Sequence, residues 1–551
     1  MVRTAADWSD EHRAQKRPYD AGSRMVKGSF RTQDIGAYEI TTDFLIKYQK
    51  TLNKEVKITA SAGGSTLRNH YDRLEFRADS LKVPGGYYFG NAAGEVYEYP
   101  WNSKYVINSF YGVFTASYKD YLFADLSARQ DWNSVLASPQ RKTGSGFFYP
   151  ALNTSFVLSD AFKMPKSINF AKIRLSLSSV GSGSTVPYRT AYNYEIATAV
   201  FDSAYQNPST LINPDLKPLR TNTYEIGGNI RMFQNRLDID VAAYLGNTKN
   251  QILDRIIDRA SGYSRQVINA GTVRNKGLEV TVNATLIKLK KFSWKTAVTF
   301  AANSNRIISM PDSSVVLNTG YVGGGQIVAK VGGSMGDLYG RGYVRAPDGQ
   351  IVYDPTSGNA LITQEVVHIG NTIPKGRVSF SNKFSYGGFT LSTLFDAQYG
   401  AIGHSLTHYK MVEQGKLAVT LPGRYNGIIG NGVVQNPDGS YRKNDVIAID
   451  IDEYYRSHMG TDNAEGASFS TDFIKFREAR FDYTLPSRFL KKWGIEKANI
   501  GIYGRNLFIW SPWPMFDPEF GTLTGSDIVK GFEVAQFPST RTIGASLIIG
   551  F

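Results

Sequence analysis

The chain ends on RTIGASLIIGF, residues 541–551, and this closing run alternates. Ile543, Ala545, Leu547, Ile549 and Phe551 share one parity, with Thr542, Gly544, Ser546 and Gly550 on the other and Ile548 as the exception. Successive side chains of a strand point to opposite faces, so the run reads as a strand with one greasy face and one small, polar face. Chain ends ordinarily fray and are polar. A terminal strand is tolerated at the surface of a soluble sandwich; in a closed barrel it is required, because the last strand must pair and leave no edge.

The same two-residue period recurs upstream. In RLDIDVAAYLG the apolar set is Leu237, Ile239, Val241, Ala243 and Leu245, facing Asp238, Asp240, Ala242 and Tyr244 on the other parity. GLEVTVNATL sets Leu278, Val280, Val282, Ala284 and Leu286 against Glu279, Thr281, Asn283 and Thr285. FSWKTAVTF follows suit with Phe292, Trp294, Thr296, Val298 and Phe300. Such runs extend over about 10 to 14 residues, enough to cross a bilayer at a tilt. Their linkers alternate in size. YKDY (118–121), FQNR (233–236), KLKK (288–291) and YGG (386–388) are short, whereas 69–104, 182–221, 306–374, 401–470 and 511–539 are long. Short turns on one side and long loops on the other mark an outer-membrane barrel. No apolar stretch approaches the roughly 20 residues of a membrane-spanning helix. The fold class is therefore all-β, a transmembrane antiparallel β-barrel.

About fifteen strands are predicted by this pattern, near 37–48, 54–68, 106–117, 121–132, 149–158, 171–181, 223–232, 236–248, 275–287, 292–305, 376–386, 388–400, 472–484, 497–508 and 540–551. In FIKFREARFDYTLP the apolar parity switches between Phe476 and Ala479, which implies a bulge or the rim of the lipid face. Single-chain bacterial barrels have an even number of strands. An odd count places residues 1–36, a polar and charged stretch, as an external loop segment, with the barrel at 37–551 and the chain as the C-terminal portion of a larger barrel. A second polypeptide completing that barrel is the favoured source of the other strands, because an unpaired edge in lipid costs several kcal/mol per backbone group.

Composition narrows the function classes. There is no cysteine, which excludes thiol catalysis, disulfides and Cys-ligated zinc. The N-terminus, MVRTAADWSDEHRAQKRPYDAGSR, does not read as a secretory signal, so the chain is read as processed or as part of something longer. The net charge of +14 is dispersed and carries no recognition motif, so nucleic acid is not expected as a partner. Basic residues meeting the phosphates of membrane lipid and lipopolysaccharide are the simpler reading.

Chemistry-bearing motifs are few. His404 and His408 have the spacing of helical metal ligands, but without a following carboxylate they read as part of a solvated loop. Asp450, Asp452 and Glu453 lack the glycine pattern of a calcium loop. GYVGGGQ (320–326) is Gly-rich without the Lys-Ser/Thr of a phosphate loop and reads as a flexible loop. No enzyme, metal or cofactor is expected. Two aromatic-rich stretches stand out. Tyr87, Tyr88, Phe89, Tyr97, Tyr99 and Trp101 crowd one predicted external loop, and Trp510, Trp513, Phe516 and Phe520 another. Flat aromatic faces stack on sugar rings and peptide side chains, so these residues are candidate substrate or partner contacts, with self-packing of the loops or a membrane girdle as the alternative.

Several segments resemble the SusC/RagA branch of TonB-linked outer-membrane transporters. They are NPDLKPLRTNTYEIGG (213–228), NAGTVRNKGLEVTVNATLIKLKKFSWKTAVTFAANSNRIISM (269–310), GDLYGRGYVRAPDGQIVYDPTSG (336–358), FIKFREARFDYTLP (473–486), IYGRNLFIW (502–510), DPEFG (517–521) and the closing IGF. The resemblance runs from about residue 104 to the end. It implies a 22-stranded barrel in the outer membrane of a Gram-negative bacterium of the Bacteroidetes, of which these strands are the C-terminal two-thirds. It further implies import of oligosaccharides or peptides under a SusD-like surface lipoprotein, with the TonB complex engaging a plug not visible in this sequence. Phe551 would be the aromatic read by the barrel-assembly machinery. A SusC-like scaffold subunit of an assembly or secretion machine, and a passive porin, are the alternatives.

Overall fold

A computed structural model describes residues 1–21, 25–139, 145–196, 204–319, 325–460, 462–521 and 531–551. Sixteen long strands succeed one another as an antiparallel meander. They are β1 (Val2–Arg17), β2 (Ser29–Thr51), β3 (Val56–Ala78), β4 (Val96–Tyr118), β5 (Leu122–Asn133), β6 (Gly146–Val157), β7 (Ile168–Ser182) and β8 (Leu219–Met232). The meander continues as β9 (Leu237–Ile256), β10 (Arg265–Lys288), β11 (Phe292–Ser309), β12 (Gly376–Tyr386), β13 (Phe389–Tyr399), β14 (Phe473–Thr484), β15 (Lys497–Trp510) and β16 (Thr542–Gly550). A two-residue strand, Thr210–Leu211, pairs in parallel with β10 and brings the sheet to seventeen.

The first 36 residues are not a loop. They hold β1 and the start of β2, paired in continuous register from Val2↔Phe44 to Arg17↔Ser29. The sequence pattern misses β1 because Asp10, His12 and Lys16 interrupt its outward parity, so the two-residue apolar signal stops near Trp8. With β1 included the long strands are even in number, and the deduction from an odd count falls. β1 runs from the short-turn side toward the long-loop side, since Thr51 of its partner β2 ends at the short turn 52–55.

The sorting of joints holds. Lys119 and Asp120 both take positive φ (50° and 54°) in the Tyr118–Tyr121 turn, the left-handed geometry whose twist matches that of a hairpin. Gly387 at φ 58° makes the β12–β13 turn, a conformation that costs little only without a Cβ. The parity switch in β14 is a bulge, where the register with β15 shifts between Phe476 and Glu478.

One face of the sheet is apolar and the other polar. On β2, Tyr38, Ile40, Phe44, Ile46 and Tyr48 are exposed on a single parity, while Glu39 and Asp43 stand on the other. On β10, Val280 lies between Val241 and Phe300 and Val282 between Ile239 and Val298, a continuous apolar band suited to lipid. A barrel wall is one sheet thick and buries no core of its own. The largest buried clusters gather instead around the long loops, one about Ile307, Ile327, Ala329 and Leu338, another about Tyr353, Val434, Ala448 and Tyr454.

Among the described residues the sheet is open. β1 pairs only with β2 and β16 only with β15.

Replacing Val280 with Arg, near the middle of the lipid face, should destabilise the folded barrel by about 2–4 kcal/mol. Glu279→Gln, on the opposite parity, should leave stability within about 0.5 kcal/mol. Urea unfolding in lipid vesicles measures both, and equal tolerance at the two positions would contradict the assignment of faces.

Candidate functional site

The site is built on the polar face. Charges at mid-strand cannot face lipid, so they turn to the interior and pair there, along a strand or between strands. Arg174 of β7 grips Asp240 of β9 through both terminal nitrogens, at 2.8 and 2.7 Å. Arg480 holds Asp482 in the same two-pronged way and donates to Ser546 of β16 at 2.8 Å. Arg129 of β5 donates to Asp131 at 2.6 Å and to Ser109 of β4 at 2.7 Å, and the Tyr149 hydroxyl donates to Asp131 at 2.6 Å. These pairs make the wall hydrophilic and neutralise part of its charge.

Toward the loop side this wall opens into a cavity of about 710 Å³, lined in part by Tyr244, Gly277, Asn303, Asn305, Ser334 and Asn371. Gly277 is required there, because a Cβ would lie 2.5 Å from the Tyr244 ring and 2.6 Å from the Ala302 carbonyl oxygen. The amides are organised by one another and by the loop above. Asn305 donates to Asn275 at 2.9 Å, while its own oxygen accepts from the Met335 backbone at 2.9 Å. The lining also carries Lys276 and Lys375 and no carboxylate, so it is rich in hydrogen-bonding groups and basic, suited to polar cargo. Sequence reasoning did not single out these residues, although NKGLEV and NSNR lie inside a segment flagged for its resemblance.

A second cluster ties the last long loop to the wall. Lys475 of β14, almost fully buried, contacts Asp517 and Glu519 at 2.5 Å each. Arg477 joins Glu519 and Asp396, both at 2.6 Å. A buried ammonium is stable only when paired, so DPEFG and FIKFREARF form one structural unit from distant parts of the chain. Burial works against the Asp517 charge, but Lys475 and the Glu519 backbone N–H outweigh it and hold its carboxyl below the usual range.

The sequence-predicted aromatics do not form one site. Tyr97, Tyr99 and Trp101 are not in a loop; they lie on one parity of β4, which begins at Val96. Arg77 sits over the Tyr97 and Tyr99 rings at 5.9 and 5.4 Å. Tyr87 and Phe89 pack on the wall, Phe89 at 4.9 Å from the Phe30 ring, while Tyr88 is exposed. Trp510 pairs opposite the exposed Ile474 and stacks on Phe508, on the outward face. Trp513 is buried against Phe520 and Phe469, and Phe516 is exposed. Phe551 follows β16 directly and is exposed.

The two histidines are also corrected. His404 and His408 are not solvated; they are 0% and 5% exposed, against Phe532 and Phe469 respectively. A strand Ile402–Ser405 and the helix Leu406–Glu413 carry them inward, with the Ser405 hydroxyl accepting from the His408 N–H at 3.1 Å. Burial lowers both imidazoles to about 4. Asp450 caps the helix Ile451–Met459 by accepting from the Glu453 N–H, and Asp452 and Glu453 fall in its first turn, where the helix dipole favours acids. Of the Gly-rich run at 320–326, residues 320–324 lie outside the described residues.

Two outcomes follow. The histidine values in the fold lie below the 6.5 of a free imidazole, so the folded loop resists protonation. Its stability is complete above about pH 6.5 and is lost progressively as pH falls toward about 4; protease protection of 400–472 should decline over that window, and His404→Phe with His408→Phe should flatten the decline. Separately, Lys475→Met strips the buried cation from two partly buried carboxylates, of which Glu519 keeps Arg477, and should cost about 1–3 kcal/mol, read as faster amide exchange in 511–521.

The profile of the family described as "TonB dependent receptor-like, beta-barrel" matches residues 2–399. TonB-dependent receptor P26 of Formosa agariphila is 24% identical over 539 residues, covering 92% of this chain and 52% of that protein. TonB-dependent receptor P39 of the same organism is 22% identical over 581 residues, covering 93% and 53%. The chain thus spans about half the length of the curated relatives it matches. The fold is also that of the RagAB peptide transporter, with a TM-score of 0.73 at 16% identity over 99% of this chain and 59% of that one. The RagAB peptide importer in its open-open state gives 0.74 at 17% identity, over 100% and 59%. From its first strand through β13 the profile follows the barrel wall described above, and the chain belongs to the TonB-dependent receptor-like β-barrel family of the bacterial outer membrane.

Proposed function

We propose that this chain is the barrel portion of a SusC-like, TonB-dependent importer that carries oligosaccharides or peptides inward. A SusD-like lipoprotein covers the long-loop mouth, and the plug that meets TonB, together with the strands that close the sheet, comes from polypeptide outside these 551 residues. The observation that carries this reading is the lumenal face: charges on it are paired across strands, as in Arg174 with Asp240, or along one, as in Arg480 with Asp482, and a polar cavity lined by amides and by Lys276 and Lys375 opens beneath the loops. The open edges at β1 and β16 support completion by further strands, because no unpaired ladder is stable in lipid. The family match supports the energy coupling. The exposed Phe551 at the end of the last strand is available as an assembly signal.

Uptake by intact cells decides the matter. Cells expressing the receptor should accumulate labelled oligosaccharides or peptides against a gradient only with a working TonB system, and a surface lipoprotein should co-purify with it. Accumulation that merely equilibrates without TonB would identify a porin. Co-purification of secretion or assembly factors, with no uptake, would identify a scaffold.

A further inference from the structure

β4 is paired unequally along its two sides. Its bonds to β3 run without a register shift from Val96↔Ala78 to Tyr118↔Val56. Its bonds to β5 begin only at Ile107↔Asn133. Among the described residues the upper part, 96–105, therefore rises above β5 with no strand on that side. This edge is independent of the open sides at β1 and β16, because the lower half of β4 is paired on both flanks.

The unpaired groups can be assigned. In an antiparallel strand the N–H and C=O of one residue point to the same side, and alternate residues point to opposite sides. The Lys104 and Val106 N–H groups face away from β3, donating to the Tyr188 hydroxyl at 3.2 Å and the Ser134 hydroxyl at 2.9 Å. The same parity above them is Val96, Glu98, Pro100 and Asn102, all exposed, with no backbone partner on that side among the described residues. Pro100 sits where its missing N–H breaks no bond to β3, as edge prolines do. What remains is three N–H groups and four carbonyls, recurring at about 7 Å along the edge.

The geometry points to a binding site for an extended peptide, added as a strand along residues 96–102 of β4. Only a polypeptide backbone offers donors and acceptors in matching pairs at that repeat; the hydroxyls of a glycan do not. Tyr97, Tyr99 and Trp101 stand on the lumenal parity of the same edge, so alternate side chains of the added strand meet aromatic rings. This rests on the import reading, and the peptide is taken as cargo captured at the mouth.

The test separates main chain from side chain. Glu98→Pro with Asn102→Pro removes two edge donors and no bond to β3, so the receptor should still fold, as read by its heat-modifiable mobility in gels. Receptor purified from outer membranes should bind a fluorescent heptapeptide of alternating Val and Thr saturably. The double proline variant should weaken that binding at least tenfold, and the N-methylated heptapeptide should bind at least tenfold more weakly to the unaltered receptor. Glu95→Pro, just before the strand, should bind as the unaltered receptor does. The inference is overturned if the unaltered receptor does not bind the heptapeptide, if the proline pair has no effect, or if maltoheptaose competes. Failure of the double variant to fold would overturn the assignment of free donors. A photocrosslinker at Asn102 that captures a partner subunit in the cargo-free complex would overturn cargo as the occupant. Loss of peptide binding with TonB-dependent uptake intact refutes only this inference, whereas absence of TonB-dependent uptake refutes the import reading itself.

Discussion

Everything in this wall depends on one constraint: in hydrocarbon, each backbone N–H and C=O must find its partner within the sheet. The meander answers it by pairing each strand with the one before it, so that within the bilayer, among the described residues, the unmatched sides are the outer ones of β1 and β16. The two-residue period follows at once. A wall one sheet thick has a lipid face and a water face, and a side chain's parity alone decides which it meets. Charges that would be intolerable on one parity are held on the other, and there they are neutralised by cross-strand partners such as Arg174 with Asp240.

Where the wall leaves the bilayer the constraint relaxes, and the chain changes character. Strands β2 to β4 each continue as long ladders, but both faces now meet water, so Asp34, Asp72 and Asn102 stand on the parity that lower down carries Phe44 and Phe110. The long loops take over the task of burial. Their clusters around Leu338 and Tyr353 are ordinary two-sided cores, and His404 and His408 are buried in the same loops against Phe532 and Phe469. The mouth is thus a packed body fastened to the wall by ion pairs such as Lys475 with Asp517, and the amide-lined cavity lies where the two meet.

The membrane-crossing parts were legible because lipid imposes its alternation residue by residue. The runs predicted at 236–248, 275–287 and 292–305 lie within the observed strands but for Arg236, and the switch after Phe476 is a bulge. The missed strand segments share one cause. In β1 and the upper reaches of β3 and β4 polar residues interrupt the outward parity, so Val2–Arg17 read as a loop and Tyr97, Tyr99 and Trp101 as loop aromatics. The histidines misled for the opposite reason. Their neighbours looked polar along the chain, but Phe469 and Phe532, from distant segments, cover them.

By itself, then, the sequence determined the fold class, the lipid-facing parity and which joints are long, because each is a local consequence of a solvent that changes across a single strand. Tertiary structure alone decided which carboxylates neutralise Lys475, which amides line the cavity beside Tyr244, and where β4 outgrows β5. Those contacts join residues far apart in the chain. Their existence depends on strand register and relative strand height, which no local period encodes.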